Sequence, residues 1–324
     1  MKMKVFLGSA LVAFALSLLF CWVLIPLLRR LKAGQNILSY VKEHESKGGT
    51  PTMAGIAFIS AAVLTATLFI RELDRDVLVC LAIGLSYMLV GLLDDLLKRK
   101  HKENLGLKAW QKFSFQLVIA IFAGIYCYRA GKTAIQIPFF NVVWEIGWWI
   151  LPLSIFVFLA TVNAVNLTDG LDGLAAGTSV PFFLCLGILL LLQEAATGLP
   201  QSNEAVLCFC LVGAVTAYLL FNVFPASAFM GDTGSLSLGG FASAIALLTG
   251  NALYVAILGL CFVLSVISVI LQVIYYKATG GKRIFLMAPI HHHFQEKGFA
   301  ESKIAFAYSA ATFVLGGVCI LFAL

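Results

Sequence analysis

Long apolar runs separated by short polar connections dominate this sequence. They occupy residues 5–28, 52–70, 77–97, 113–130, 149–165, 174–193, 204–222, 234–249, 252–276 and 302–324. About 20 apolar residues cross a bilayer as a helix, so the pattern predicts about ten transmembrane helices. Helices are expected rather than strands because the runs are apolar on all sides and a lipid-exposed backbone must satisfy its hydrogen bonds internally. One connection differs from the rest. Residues 133–148 (TAIQIPFFNVVWEIGW) are rich in β-branched and aromatic residues and predict a short interfacial hairpin, with Trp144, Trp148 and Trp149 at headgroup level. The expected fold class is an all-α polytopic membrane protein carrying one short hairpin on its periplasmic side. No connection is long enough for a separate soluble domain, so 1–324 reads as one unit.

Composition removes the main alternatives. Of 324 residues, 61% are hydrophobic and 12% charged, whereas soluble domains carry about 25% charged residues. The net charge of +6 does not point to nucleic acid, because the basic residues flank the spans and speak of topology and anionic lipid. Sixteen of the 22 Lys and Arg fall in the odd-numbered connections: five in 29–50, six in 98–112 and five in 277–303. The positive-inside rule therefore makes these connections cytoplasmic and puts both termini outside. The start, MKMK followed by Val5 to Leu28, imitates a signal peptide but lacks a small-x-small cleavage site, and is expected to be the first retained span. All eight cysteines lie in apolar runs without zinc-site spacing, and are expected to pack as small hydrophobes.

The unusual polar clusters share one predicted face. GGTPT (48–52), Asp94-Asp95, NAVNLTDGLDG (163–173), NVFPASAFMGDTGS (222–235) and MAPIHHHF (287–294) all fall in the cytoplasmic connections. Asp94 and Asp95 end an apolar run, which places them at a helix C-terminus where the macrodipole disfavours negative charge. Either Lys98, Arg99 and Lys100 neutralise them, or they handle a divalent metal or phosphate. Asn163, Asn166, Asp169 and Asp172 recur every three residues, a slanting polar stripe on a helix that also reads as an ordinary interhelical loop. Asp232 stands between glycines before an apolar run, which suits a phosphate or metal-phosphate cradle, or a plain N-cap. Asn222 and Phe229 flank it with groups for a base edge and a ring face. His291, His292 and His293 are consecutive and cannot converge on one zinc ion; hydrogen bonding to phosphate or sugar, or an interfacial position, suits them better. Together these residues suggest phosphoryl chemistry on a charged substrate beside a lipid.

GGTPTMAG (48–55), DDLLK (94–98), NAVNLTDGLDG, NVFPASAFMGDTGS and MAPIHHHF, in this order, resemble the motifs of the bacterial phospho-N-acetylmuramoyl-pentapeptide transferases. Ala54 departs from the family's usual glycine. The resemblance implies transfer of phospho-MurNAc-pentapeptide from its UDP carrier, UDP-MurNAc-pentapeptide, to undecaprenyl phosphate in the bacterial cytoplasmic membrane, yielding lipid I and UMP for peptidoglycan synthesis. It also implies Mg2+, ten transmembrane helices and a homodimer. Carried onto matching positions, Asp94, Asp95 and Asp232 are catalytic acids, Asp232 is the magnesium ligand, and Lys112 contacts phosphate. Lys47, Thr52, Asn166, Asp169, Asp172, Asn222 and Phe229 line the nucleotide pocket, and His291 and His292 face the pyrophosphate or sugar. A related polyprenyl-phosphate sugar-1-phosphate transferase using UDP-N-acetylglucosamine would share the acidic motifs, but MAPIHHHF argues against it. A transporter or lipid flippase would need ionisable residues in mid-span, and there are essentially none.

Overall fold

A computed structural model describes residues 2–31, 49–70, 72–100, 106–140 and 142–322. In chain order these form α1 (Lys2–Arg30), α2 (Gly55–Phe69), α3 (Arg75–Lys100), α4 (Ala109–Arg129), the strands β1 (Ala134–Ile137) and β2 (Val142–Glu145), then α5 (Ile150–Thr168), α6 (Leu174–Thr197) and α7 (Ser202–Asn222). They continue as α8 (Gly231–Leu248), α9 (Ala252–Leu258), α10 (Leu260–Ala278), α11 (Ile290–Glu296) and α12 (Glu301–Leu321). Each expected span contains a helix, and among the described residues eight helices are long and apolar enough to cross a membrane. The other two expected spans hold α2, of 15 residues, and α8, which carries four glycines and three serines.

The composition of α8 follows from its position. Every residue from Thr233 to Leu248 is buried, with α3, α5 and α2 packed around it. Facing protein rather than lipid, α8 gains from small side chains that let neighbouring backbones approach. A Cβ at Gly239 would lie 2.6 Å from Val162 Cα, and one at Gly240 2.6 Å from the Tyr87 ring. At the periphery α10 shows the opposite pattern: only Cys261, Phe262, Ser265 and Ser268 are buried along its 19 residues.

The structure corrects several expected boundaries. α3 continues to Lys100, so Asp94 and Asp95 lie within the helix, before its last turn, rather than at its end. The span expected at 252–276 is broken at Gly259 into α9 and α10, and within the connection that follows the short α11 carries the three histidines. The hairpin forms as expected, with Ala134 paired to Glu145 and Ile137 to Val142. Trp144, Trp148 and Trp149 beside it are exposed, as an interfacial belt requires. All eight cysteines are buried free thiols.

α6 and α8 begin at the motif-bearing end of the bundle and finish at the hairpin end, where a second polar cluster is buried. Gln193 Nε2 donates to Gln136 Oε1 (2.7 Å) and to Asn251 Oδ1 (2.9 Å). Asn251 Nδ2 returns a hydrogen bond to Gln193 Oε1 (2.9 Å) and also meets Thr249. This neutral network ties the hairpin to the ends of α6 and α8.

Candidate active site

The site begins where α3 crosses the start of α8. Met230 provides no side-chain cap for α8, and Asp95 of α3 supplies one instead. Its carboxylate accepts from the N–H groups of Asp232 (3.2 Å) and Thr233 (3.0 Å) and from the Thr233 hydroxyl (2.7 Å). A buried helix N-terminus has orphan donors and a positive dipole end, so an acid there is doubly favoured. The crossing is very close: a Cβ at Gly91 would collide with the Asp232 carbonyl, and one at Gly231 with the Asp95 carboxylate. Gly231 also has φ +69°, which a side chain would strain.

Asp232, in the first turn of α8, is the hub. Its Oδ2 receives Lys112 Nζ at 2.6 Å and Lys98 Nζ at 3.0 Å, and its Oδ1 accepts from Asn166 Nδ2 at 3.0 Å. Asn166 Nδ2 also reaches Ser235 Oγ (2.8 Å), which fixes the amide's orientation. Lys98 bridges to Asp94 Oδ2 (2.7 Å), while Asp94 Oδ1 accepts from Leu107 N–H (2.6 Å). One oxygen from each of Asp94, Asp95 and Asp232 lies within 4.8 Å of the others. A carboxylate-only donor set suits a hard cation such as Mg2+, so these residues fit one.

Three further segments complete the site. Residues 51–55 run alongside 229–230: Phe229 N–H donates to Pro51 O, Ala54 N–H to Phe229 O and Gly55 N–H to Met230 O. This pairing carries Thr52 to the Gly231 turn, where its Oγ1 lies 2.7 Å from the position of a Cβ on Gly231. Ala54 has φ −64° and ψ −12°, open to any L residue, so its departure from the family glycine is harmless. At the end of α5, Asp169 follows the helix. Burial, then the charges of Asp232, Asp95 and Asp172, push its carboxyl up to about 8. Asp172 and Asn222 join the loops together: Asp172 Oδ2 accepts from Ala226 N–H (2.9 Å), Asn222 Oδ1 accepts from Gly173 N–H (3.1 Å), and Asn222 Nδ2 donates to Ala228 O (3.0 Å). Phe229 is half-buried beside them.

The histidines arrive from α11. A Cβ at Gly170 would lie 2.6 Å from His291 Nε2 and 2.9 Å from His292 Nε2, so both imidazoles converge on the loop following Asn166 and Asp169. His291 is fully buried and neither ring nitrogen has a hydrogen-bond partner among the described residues. Burial first and then His292 lower its pKa to about 3, so it is neutral at physiological pH. His293 turns away and accepts from Leu286 N–H (3.1 Å).

Of the residues singled out in the sequence, Thr52, Asp94, Asp95, Lys112, Asn166, Asp169, Asp172, Asn222, Phe229, Asp232, His291 and His292 gather at this end of the bundle. Lys47 lies outside the described residues. Asn163 faces elsewhere, donating to Gln116 Oε1 (2.8 Å) between α4 and α5. The cations Lys277, Lys282, Arg283 and Lys297 are exposed. Lys98 was legible only as a neutralising charge, although its place four residues after Asp94 on one helix face was the available signal. Gly91, four residues before Asp95, gave the corresponding hint of close packing.

Residues 77–250 match the family described as Glycosyl transferase family 4. Over 316 residues the chain is 43% identical to a phospho-N-acetylmuramoyl-pentapeptide-transferase of Clostridium novyi (strain NT), covering 97% of this chain and 95% of the relative. It is 41% identical to the enzyme of that name from Bacillus subtilis (strain 168) over 317 residues, 96% of each chain. The corresponding protein of Listeria monocytogenes serovar 1/2a is 41% identical over 315 residues, 95% of each. With identity spread over nearly the whole length and the family's motifs meeting at one end of the bundle, the chain belongs to the phospho-N-acetylmuramoyl-pentapeptide-transferase family.

Proposed function

We propose that this membrane enzyme transfers phospho-MurNAc-pentapeptide from UDP-MurNAc-pentapeptide to undecaprenyl phosphate, making lipid I and UMP for peptidoglycan synthesis. The observation that carries the proposal is the Asp232 hub, where two lysines, an asparagine and two further acids converge at the end of the α3, α5 and α8 bundle. In this reading Asp232 holds Mg2+, with Asp94 the nearest acid free of helix capping. When bound, the ion supplies charge neutralisation on the diphosphate.

The chain's own residues account for the rest. Lys98 and Lys112 bind phosphate oxygens, since phosphoryl transfer depends chiefly on positioning and charge stabilisation. Asp95 keeps the start of α8, and with it Asp232, in place. Asp169 lines the nucleotide pocket, and His291 and His292 take the sugar side. An oxygen of the lipid phosphate attacks the phosphorus nearer the sugar, and the bond from that phosphorus to the UMP oxygen breaks. The acceptor's second pKa is near 6, so much of it is already a dianion and needs no strong base. Asp94 orients it.

An apolar cavity of about 730 Å³ supports the lipid assignment. It lies between α5, α6, α8, α9 and α10, is lined by residues such as Phe156, Phe182, Leu238 and Val266, and reaches Val165, next to Asn166. A prenyl chain suits such walls. The basic connections set this end in the cytoplasm, with both termini outside. The homodimer belongs to the same proposal and rests on the resemblance alone. The deciding assay mixes purified protein with Mg2+, undecaprenyl phosphate and equal amounts of UDP-MurNAc-pentapeptide and UDP-N-acetylglucosamine. Release of UMP with lipid-linked MurNAc-pentapeptide is expected, and preferential use of UDP-N-acetylglucosamine would overturn the proposal.

A further inference from the structure

We infer that Ser268 and Gln272 of α10 are positioning residues that hold the connection leading into α11, so that His291 reaches the sugar nucleotide. The ligand part of the inference rests on the reaction proposed above. The observation behind it is how that connection is folded. Among the described residues, no backbone–backbone hydrogen bond joins residues 283–288 to one another or to the rest of the chain. Side chains supply the partners instead.

Two of those side chains stand one turn apart on α10. The Gln272 carbonyl oxygen accepts from the N–H groups of Ile284 and Phe285 (3.0 Å each), and its Nε2 donates to Phe285 O (3.0 Å). Backbone N–H groups only donate, so this amide has one orientation. Ser268 Oγ accepts from the N–H of Ile290 (2.9 Å), the first residue of α11, and donates to Ser265 O (2.7 Å). Pro289 gives α11 no side-chain cap, so Ser268 satisfies an orphan donor of that helix from a neighbouring one. A third tie runs from Leu286 N–H to His293 Nδ1 (3.1 Å) and fastens the connection to α11 itself.

α10 thus has two unlike faces. At about 100° per residue, Cys261, Ser265, Ser268 and Gln272 fall along one line of the helix. Val263, Val266, Ile267 and Ile270 lie on roughly the opposite side and line the apolar cavity. The face that holds the histidines is therefore separate from the face that lines the cavity. Ser268 is 2% exposed and so out of a ligand's reach. Any effect of its hydroxyl on the sugar nucleotide must pass through α11, where His291 follows Ile290 and places its Nε2 at Gly170.

A serine on a membrane helix also has an ordinary role, bonding back to its own preceding turn as Ser265 does with Cys261 O (3.1 Å). The test must read the connection and the ligand separately. In detergent-solubilised full-length protein without substrate, amide hydrogen exchange reads the connection. Ser268→Ala should speed exchange at Ile290 roughly tenfold, and Gln272→Met should do so at Ile284 and Phe285, about the protection given by one hydrogen bond. Exchange in α8 should not change. Equilibrium binding reads the ligand: Ser268→Ala should weaken UDP-MurNAc-pentapeptide roughly tenfold. Added to His291→Ala, it should weaken binding no further, because both changes act through one ring. The KM for undecaprenyl phosphate should stay as in the wild type, since the cavity face is untouched. Should Ser268→Ala fail to fold, Gln272→Met decides by the same measurements.

Unchanged exchange at 284–290 in both variants, undiminished binding of UDP-MurNAc-pentapeptide, a full multiplicative loss on the His291→Ala background, or a raised KM for undecaprenyl phosphate would overturn the inference. A wild type that binds no UDP-MurNAc-pentapeptide would instead overturn the proposed reaction. The substrate-free exchange would still decide whether α10 holds the connection.

Discussion

The two ends of this bundle each bury a polar cluster, and the clusters differ in whether they are complete. At the hairpin end, Gln136, Gln193, Thr249 and Asn251 are neutral and hydrogen-bond one another in a closed set. At the motif end, among the described residues, Lys98 and Lys112 are the cations that meet Asp94 and Asp232, burial and neighbouring acids push the Asp169 carboxyl up, and neither ring nitrogen of His291 has a hydrogen-bond partner. Buried polar groups are costly unless paired, so a closed network belongs to the architecture and an open one to a ligand. α8 begins in the open cluster and ends beside the closed one, roughly 27 Å away at 1.5 Å per residue.

Substitutions should separate the clusters by what they damage. The largest effect is expected for Asp232→Asn, which keeps shape but removes the hub charge. Turnover should fall by about 10²–10³, the cost typical of removing a preorganised electrostatic group, with little change in melting temperature. Near-normal turnover would remove Asp232 from the chemistry. Asn251→Ala should do the reverse, losing about 1–3 kcal/mol of stability by leaving the Gln193 amide unpaired, while kcat at permissive temperature stays normal. A large kcat loss without destabilisation would erase the distinction between the ends.

Asp95→Ala tests the boundary between the two kinds of role. By removing the cap of α8 it should cost about 1–2 kcal/mol of stability and reduce activity as well, whereas Asp94→Asn should reduce activity alone. Equal melting temperatures for the two variants would show that Asp95 does not act as a cap. The last test concerns pH. Asp169 binds a proton more tightly folded, with a pKa of about 8, than unfolded, near 3.8. Its stabilising contribution is therefore complete at low pH and is lost as pH rises through about 8. Asp169→Asn, which resembles the protonated acid, should flatten the decline in melting temperature between pH 6 and 9. An identical decline in both proteins would mean that Asp169 is ionised throughout.

Much of the fold was legible because lipid imposes a one-dimensional constraint. The apolar runs gave each span, and the β-branched and aromatic stretch around Trp144 gave the hairpin. The break at Gly259 was hidden, since an apolar run continues on both sides of a single glycine. The members of the site were also legible, because Asp, Asn and His stand out at the edge of an apolar run. Their division of labour was not. Adjacent Asp94 and Asp95 look alike in sequence, yet neighbouring positions on α3 direct one toward Lys98 and Leu107 and the other onto the start of α8. Gln272 was silent for a related reason: Ile284 and Phe285 meet it only through the fold of the connection between α10 and α11.

The burial of α8 also bears on how such a sequence can drift. A helix with no lipid-facing side has almost no position where a larger residue is silent, and at Gly239 and Gly240 a single methyl would strike Val162 and Tyr87. On α10, where 15 of 19 positions escape burial, one apolar residue replaces another at little cost. Neutral variation should therefore accumulate around the rim of the bundle while its axis stays fixed. A substitution scan under selection for growth should trace the same inside-to-outside gradient.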